Sequence, residues 1–171
     1  YDRVGECRLK CLQALQPLYE QDDLLTRLEL FTSRFKNRIV EMSLDKEYEV
    51  AVNAIKLLTT IVAANDAALE DKDCENIYEL VYHTNRSVAQ AAGEFLNQKL
   101  FVKVENPLME FRRGKKQSEN STFIQLLVQF LIESELHDHP TYLVDAMWDL
   151  HPMLKDWECM TDLLLEDPMN P

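Results

Sequence analysis

Three groups of side chains have the types and spacing that chemistry needs. Cys7 and Cys11 stand one helical turn apart, a spacing at which two thiolates can share a soft metal. His137, Asp138 and His139 are consecutive, and His151 follows. Imidazole with carboxylate is the usual equipment of metal-assisted hydrolysis. Arg27, Arg34 and Arg38 recur at helical spacing, and guanidinium groups grip carbonyls, carboxylates and phosphates. The first two groups are weak. No second ligand pair accompanies the cysteines, and both fall on an apolar stripe, so they are expected in the core as small hydrophobes. Adjacent side chains in 137–139 point apart, and Pro140 marks a helix start, with Asp138 or His139 as its cap. Met147, Trp148 and Trp157 are expected as core or seam residues.

The arginines are more informative. At about 100° per residue, with Arg27 at zero, Arg34 falls at about −20° and Arg38 at about +20°. Phe31 falls at about +40°, Leu24 and Met42 at about +60°, and Phe35 at about +80°. A column of arginines therefore runs along the edge of an apolar stripe, with Phe31 between them. Residues 27–38 hold four basic residues and one acid. Such an edge suits peptide docking: a groove takes an aromatic anchor while the guanidinium takes a carbonyl or carboxylate. The competing reading leaves the arginines solvated or paired with acids such as Glu41 and Glu49, and puts the phenylalanines in the core. A second basic run, Arg112, Arg113, Lys115 and Lys116, could touch a phosphate backbone or stay a solvated loop.

Little else invites catalysis. There is no Gly-rich phosphate loop, no G-x-S-x-G elbow and no C-x-x-C pair. The reading is therefore of a protein that is not an enzyme and holds no cofactor or metal. Only 3 of 171 residues are Gly, too few for the tight turns of a Rossmann, P-loop or all-β fold. The 46% hydrophobic content supports a sizeable core. A formal charge of −12 disfavours nonspecific nucleic-acid binding by the chain as a whole. No apolar run approaches the ~18 residues of a membrane span. Four cysteines without paired spacing suggest a reducing compartment. The chain starts at Tyr1 and is read as an internal piece of a longer protein.

The elements that must position these residues are helices. Apolar residues recur at helical spacing over 3–20, 23–43, 47–64, 71–84 and 86–102, and again over 121–137, 139–150 and 155–166. Pro17 is expected to kink or end the first helix. Asp45 and Asp71 read as caps or first-turn acids. A shift of about 43 residues pairs Leu12 with Ile55 and Leu15 with Leu58, and a third copy follows near Arg86 with Val88, Ala92 and Leu96. Periods near 40 built from two helices each suit an all-α, HEAT-repeat-like solenoid of antiparallel helix pairs, spanning 1–171 as one array. Residues 103–120 interrupt it as an inserted basic and polar loop.

Several long strings are familiar. Gly5-Glu6-Cys7-Arg8-Leu9-Lys10-Cys11-Leu12 and Leu28-Glu29-Leu30-Phe31-Thr32-Ser33-Arg34-Phe35-Lys36-Asn37-Arg38-Ile39-Val40 resemble the stromalin segment of the cohesin SA/STAG subunits. So do Leu44 to Val52, Asp73 to Tyr78, Ala91 to Leu96, Glu133 to His139, Lys155 to Thr161 and Leu163 to Glu166. The resemblance covers nearly the whole chain apart from 103–120. It implies a middle slice of a non-enzymatic HEAT-repeat protein of the nucleus, found on chromatin and chromosomes including the centromere. Such subunits bind the kleisin of the cohesin ring, support its loading on DNA, hold sister chromatids together and support chromatin loops. They also receive short aromatic motifs of regulators such as CTCF and shugoshin. The implied surface includes Ser33, Arg34 and Phe35 near Leu30 and Phe31, with Arg27 and Arg38 along the same edge and Arg34 as the polar grip. Lys36, Arg38, Arg112, Arg113, Lys115 and Lys116 are the candidate contacts if DNA is a further partner.

Overall fold

The computed structural model describes residues 3–102 and 119–165. Eight α-helices are found among them: α1 (Gly5–Tyr19), α2 (Asp22–Met42), α3 (Tyr48–Ala64), α4 (Asp71–Glu79), α5 (Arg86–Leu96), α6 (Glu119–Ser134), α7 (Pro140–Met147) and α8 (Trp157–Leu165). Each starts and stops close to where the apolar periodicity does. Asn85 accepts from the N–H groups of Ser87 and Val88 and so caps α5. Pro140 opens α7, where its missing N–H costs nothing. Asp71 is a first-turn acid of α4, while Glu70 is the residue that precedes it as cap. Pro17 stands in the last turn of α1, and the helix ends two residues later.

The helices form two layers. In one, α1 packs on α3, α3 on α5 and α5 on α7; in the other, α2 meets α4 and α6 meets α8. The rings of Tyr78 and Phe130, 5.8 Å apart and edge-on, join α4 to α6 across the second layer. Short connections after α1 and α2 turn the chain back on itself, so successive helices are antiparallel. This is the HEAT-like solenoid that the repeat implies. The matched positions Leu12, Ile55, Leu58, Val88, Ala92 and Leu96 are all buried in the first layer. Helix α5 crosses α7 closely at Gly93, where an added Cβ would lie 2.9 Å from the Ala146 carbonyl oxygen. None of the described helices is long and apolar enough to cross a membrane.

Two expectations are corrected. Cys7 and Cys11 are exposed, not core. The buried stripe of α1 is Arg8, Leu12 and Tyr19, with Leu15 packed against it, and each cysteine lies about 100° behind one of its members. Trp157 is 65% exposed, because the inner face of α8 is Cys159, Met160 and Leu163. Met147 is fully buried and Trp148 packs against the core, as expected.

One ion pair fixes the return from α2 to α3. Arg8 Nε donates to Asp45 Oδ2 at 2.7 Å and Nη2 to Oδ1 at 2.9 Å, both side chains about nine-tenths buried. The Glu47 N–H donates to the same carboxylate at 3.0 Å. Burial pushes the Asp45 carboxyl up, but the Arg8 hydrogen bonds, that N–H and the charges of Arg8 and Lys46 outweigh it, and the group lies below its ordinary 3.8. Asp45→Asn removes the charge while leaving Arg8 buried. A loss of about 3 kcal/mol is expected, the scale for breaking a buried pair. The urea midpoint should fall with an unchanged slope, while Lys46→Ala leaves it in place. An Asp45→Asn variant that melts like the parent would show the pair to be unimportant.

His151 supplies a second test. It is half-buried under Phe123, with ring centroids 4.3 Å apart, and its Nε2 meets no hydrogen-bond partner among the described residues. Burial lowers its pKa below 6.5, because the charged ring would lose its water. The unfolded chain then binds the proton more readily than the folded one, so stability rises with pH across this window. Thermal midpoints should drop as pH falls below about 6.5, and His151→Gln should flatten that part of the curve. An identical slope in the variant would remove His151 as the cause.

Candidate functional site

The site that the sequence singles out lies on α2, and the fold decides which side of that helix is available. Leu25, Leu28 and Met42 pack against the core, and Ile39 and Val40 are buried in it. The Tyr19 hydroxyl lies 2.6 Å from Thr32 Oγ1. Thr32 donates its own proton to the Leu28 carbonyl, so Tyr19 is the donor and α1 is tied to the middle of α2. Held from this side, α2 presents the opposite strip to solvent.

That strip carries Arg27, Leu30, Ser33, Arg34 and Phe35, all exposed, with Phe31 half-buried beside them. Leu30 is 84% exposed. The rings of Phe31 and Phe35 are tilted against each other with centroids 4.6 Å apart. The Arg34 guanidinium carbon is 5.8 Å from the Phe35 centroid, within the range where a cation is attracted to a ring face. Among the described residues, no carboxylate pairs with Arg34. Chemically the strip offers apolar contact from Leu30, Phe31 and Phe35 beside a guanidinium with open donors. An aromatic or aliphatic anchor and a backbone carbonyl or carboxylate would satisfy both parts. The apolar face read from the sequence divides here: Phe31 straddles the edge and Phe35 lies 40% exposed, outside the core.

The other basic residues of α2 are engaged. Lys36 Nζ lies 3.0 Å from Glu70 Oε1 at the start of α4 and is largely buried. Arg38 pairs with Glu41 one turn on. The expected pairing of an edge arginine with Glu41 is thus present for Arg38, the third member of the column. Arg112, Arg113, Lys115 and Lys116 lie outside the described residues. His137 and His139 are neighbours, with ring centroids 5.4 Å apart. His137 Nδ1 accepts the His139 N–H and its ring stacks on Tyr82, as befits a turn. Among the described residues no group of three or more His, Cys, Asp or Glu side chains is placed to hold a metal ion. The sequence reading missed Arg8, which holds the loop at the end of α2. Its partner Asp45 is 37 positions away, and no local pattern announces such a pair.

Comparison with known proteins follows this geometry closely. A family model for the stromalin conservative domain matches residues 1–36, which span α1 and the strip of α2 as far as Lys36. A second, for the HEAT-repeats domain of cohesin subunit SCC3/SA, matches residues 142–171. The chain is 55% identical to cohesin subunit SA-1 of Xenopus laevis and 51% identical to cohesin subunit SA-3 of Homo sapiens, in each case over 99% of its own length. It is 42% identical over 98% of its length to cohesin subunit scc-3 of Caenorhabditis elegans. It spans 14% of the length of the first two relatives and 15% of the third. On the strength of both family models and these identities, the chain belongs to the SA/SCC3, or stromalin, family of cohesin subunits.

Proposed function

We propose that the chain is a non-enzymatic docking segment of a cohesin subunit, and that the outer strip of α2 receives a segment of the kleisin. Short aromatic motifs of regulators such as CTCF and shugoshin compete for the same strip. In this role the segment supports loading of cohesin on DNA, sister-chromatid cohesion and chromatin looping, on chromosomes in the nucleus and at the centromere. The observation that carries the reading is the exposed set of Arg34, Phe31 and Phe35 on a helix clamped from its other side. Rigid elements keep the cost of ordering a binding surface low, so the groups can act as a preformed anchor site.

A protein segment suits the strip better than DNA does. Lys36 and Arg38 already hold Glu70 and Glu41, and the chain carries a formal charge of −12. A phosphate backbone gains affinity by counterion release at many unpaired cations, which the strip lacks. A peptide needs one good cation and a few apolar contacts.

Arg34→Glu reverses the charge at an exposed position without touching the core. Isothermal titration of a kleisin segment should show affinity falling by roughly 10- to 100-fold, the scale of a hot-spot residue. Far-ultraviolet circular dichroism should be unchanged, and an aromatic-motif peptide should lose affinity in parallel. Unchanged affinity with unchanged dichroism would overturn the docking role of Arg34.

A further inference from the structure

The turn from α6 to α7 gathers aromatic rings at the surface. His137 stands at its centre. Its ring is nearly parallel to that of Tyr82 with centroids 5.1 Å apart, meets Tyr142 edge-on at 5.0 Å and has His139 at 5.4 Å. Its Nδ1 accepts the His139 N–H at 2.9 Å, which fixes the ring to the turn. Tyr142 is 52% exposed and His139 is exposed, so the platform has an open side. Residues 135–142 contain two acids, Glu135 and Asp138, and no Lys or Arg. Both acids are exposed, and among the described residues no cation pairs with either. Arg86, the cation that reaches α7, is shared between Asp145 and Asp149. Residues 166–171, which follow the described part of α8, contain no Lys or Arg either. The carbonyl end of α6 and the N–H end of α7 meet here and offset each other, so the two carboxylates set the charge of the turn.

We propose that this platform receives arginine side chains of a basic segment on a partner protein. A guanidinium is flat, always charged and weakly hydrated, so it can lie on the Tyr142 ring while its in-plane donors fork to a carboxylate. Asp138 and Glu135 stand on the same turn to accept them. A lysine ammonium brings the charge without the planar stacking. A nucleic-acid backbone would set its phosphates against two unpaired acids. A metal ion finds too few ligands, since among the described residues no group of three or more His, Cys, Asp or Glu side chains is placed to hold one and His137 Nδ1 already accepts an N–H. The rings also continue along this edge of the ribbon. His83 follows Tyr82 in the chain and meets the Tyr48 ring edge-on at 5.6 Å, and Tyr48 is 50% exposed beside the exposed acids Glu47 and Glu49. A chain with several arginines can therefore use more than one ring, which a single free arginine cannot. The rings and acids of this edge belong to α3, the turn before α5, and the α6–α7 turn, so the site stands independently of any docking on α2.

The test is fluorescence anisotropy at pH 7.5 with a dye-labelled peptide, Gly-Arg-Gly-Arg-Ala-Arg-Gly, against counterparts carrying lysine or glutamine in place of every arginine. The arginine peptide should bind about threefold more tightly than the lysine peptide, the scale of a ring contact, and at least about tenfold more tightly than the glutamine peptide. Tyr142→Ala should lower the arginine affinity about three- to fivefold and remove the preference over lysine, while Tyr142→Phe keeps both. Glu135→Gln with Asp138→Asn should weaken both cationic peptides. Trp157→Ala, which removes an exposed ring from α8, should change nothing. If Tyr142→Ala alters the circular dichroism, Tyr142→Leu gives the same comparison with apolar bulk retained. Equal affinity for the arginine and glutamine peptides would overturn the proposal. So would an arginine preference that survives loss of the Tyr142 ring, or one lost in Trp157→Ala instead. Equal binding of arginine and lysine peptides, unmoved by any of these variants, would assign the attraction to the acidity of the chain at large and overturn the site.

Discussion

The structure depends on the burial of α3. Ala54, Ile55, Leu57 and Leu58 have no measurable exposure, and Val50, Ala51, Ile61 and Val62 are nearly as dry. These residues cover close to half of the helix circumference, an arc too wide for one neighbour to shield. Helix α1 covers one flank, α5 the other, and α2 closes the arc from the second layer. Each fully buried Leu or Ile contributes about 1.5–3 kcal/mol relative to exposure, and that gain is realised only when all three neighbours are present. A repeat that cannot bury its own face must stack. The stacking in turn fixes which side of α2 faces inward, and therefore which side is left to meet a guest.

Charge follows the same division. The chain is acidic, and several of its cations serve as cross-links between elements: Arg8 to Asp45 joins α1 to the connection after α2, Lys36 to Glu70 joins α2 to α4, and Lys99 to Asp66 joins the turn after α5 to the turn after α3. The second and third pairs keep their carboxylates open to solvent, and such pairs contribute little individually. The first is different, since it is forked, buried and reinforced by a backbone N–H. Against that background, Arg34 has the Phe35 ring rather than an acid for company among the described residues. A guanidinium over phenylalanine is weakly hydrated and retains donors in plane, which makes it ready to bind an incoming carbonyl without first breaking an ion pair.

Much of this was legible in the residues. The eight helices, their order and the two-helix repeat follow from apolar spacing, because amphipathic helices declare their inner faces locally. The column of Arg27, Arg34 and Arg38 beside Phe31 is visible for the same reason. What stayed hidden depends on the third dimension. Which of two adjacent stripes of α1 is inner cannot be read when Cys7 and Cys11 look as apolar as Leu12, and only the docking of α1 on α3 decides between them. Trp157 shows the same ambiguity at the start of α8. The Arg8–Asp45 fork joins α1 to the connection after α2, 37 positions on, and no short window along the chain contains both residues. The two cations of α2 that hold acids, Lys36 and Arg38, are indistinguishable by sequence from Arg34, which pairs with none among the described residues.

The central proposal is that a kleisin segment docks on the outer strip of α2 rather than on any other face of the ribbon. Amide and arginine Nε–H resonances of the chain, followed by nuclear magnetic resonance during titration with that segment, test it directly. Shifts concentrated in residues 27–38, with the Arg34 Nε–H among the largest, are the predicted result. Shifts confined to α6, α7 and α8, with α2 and the Arg34 signal unmoved, would contradict it.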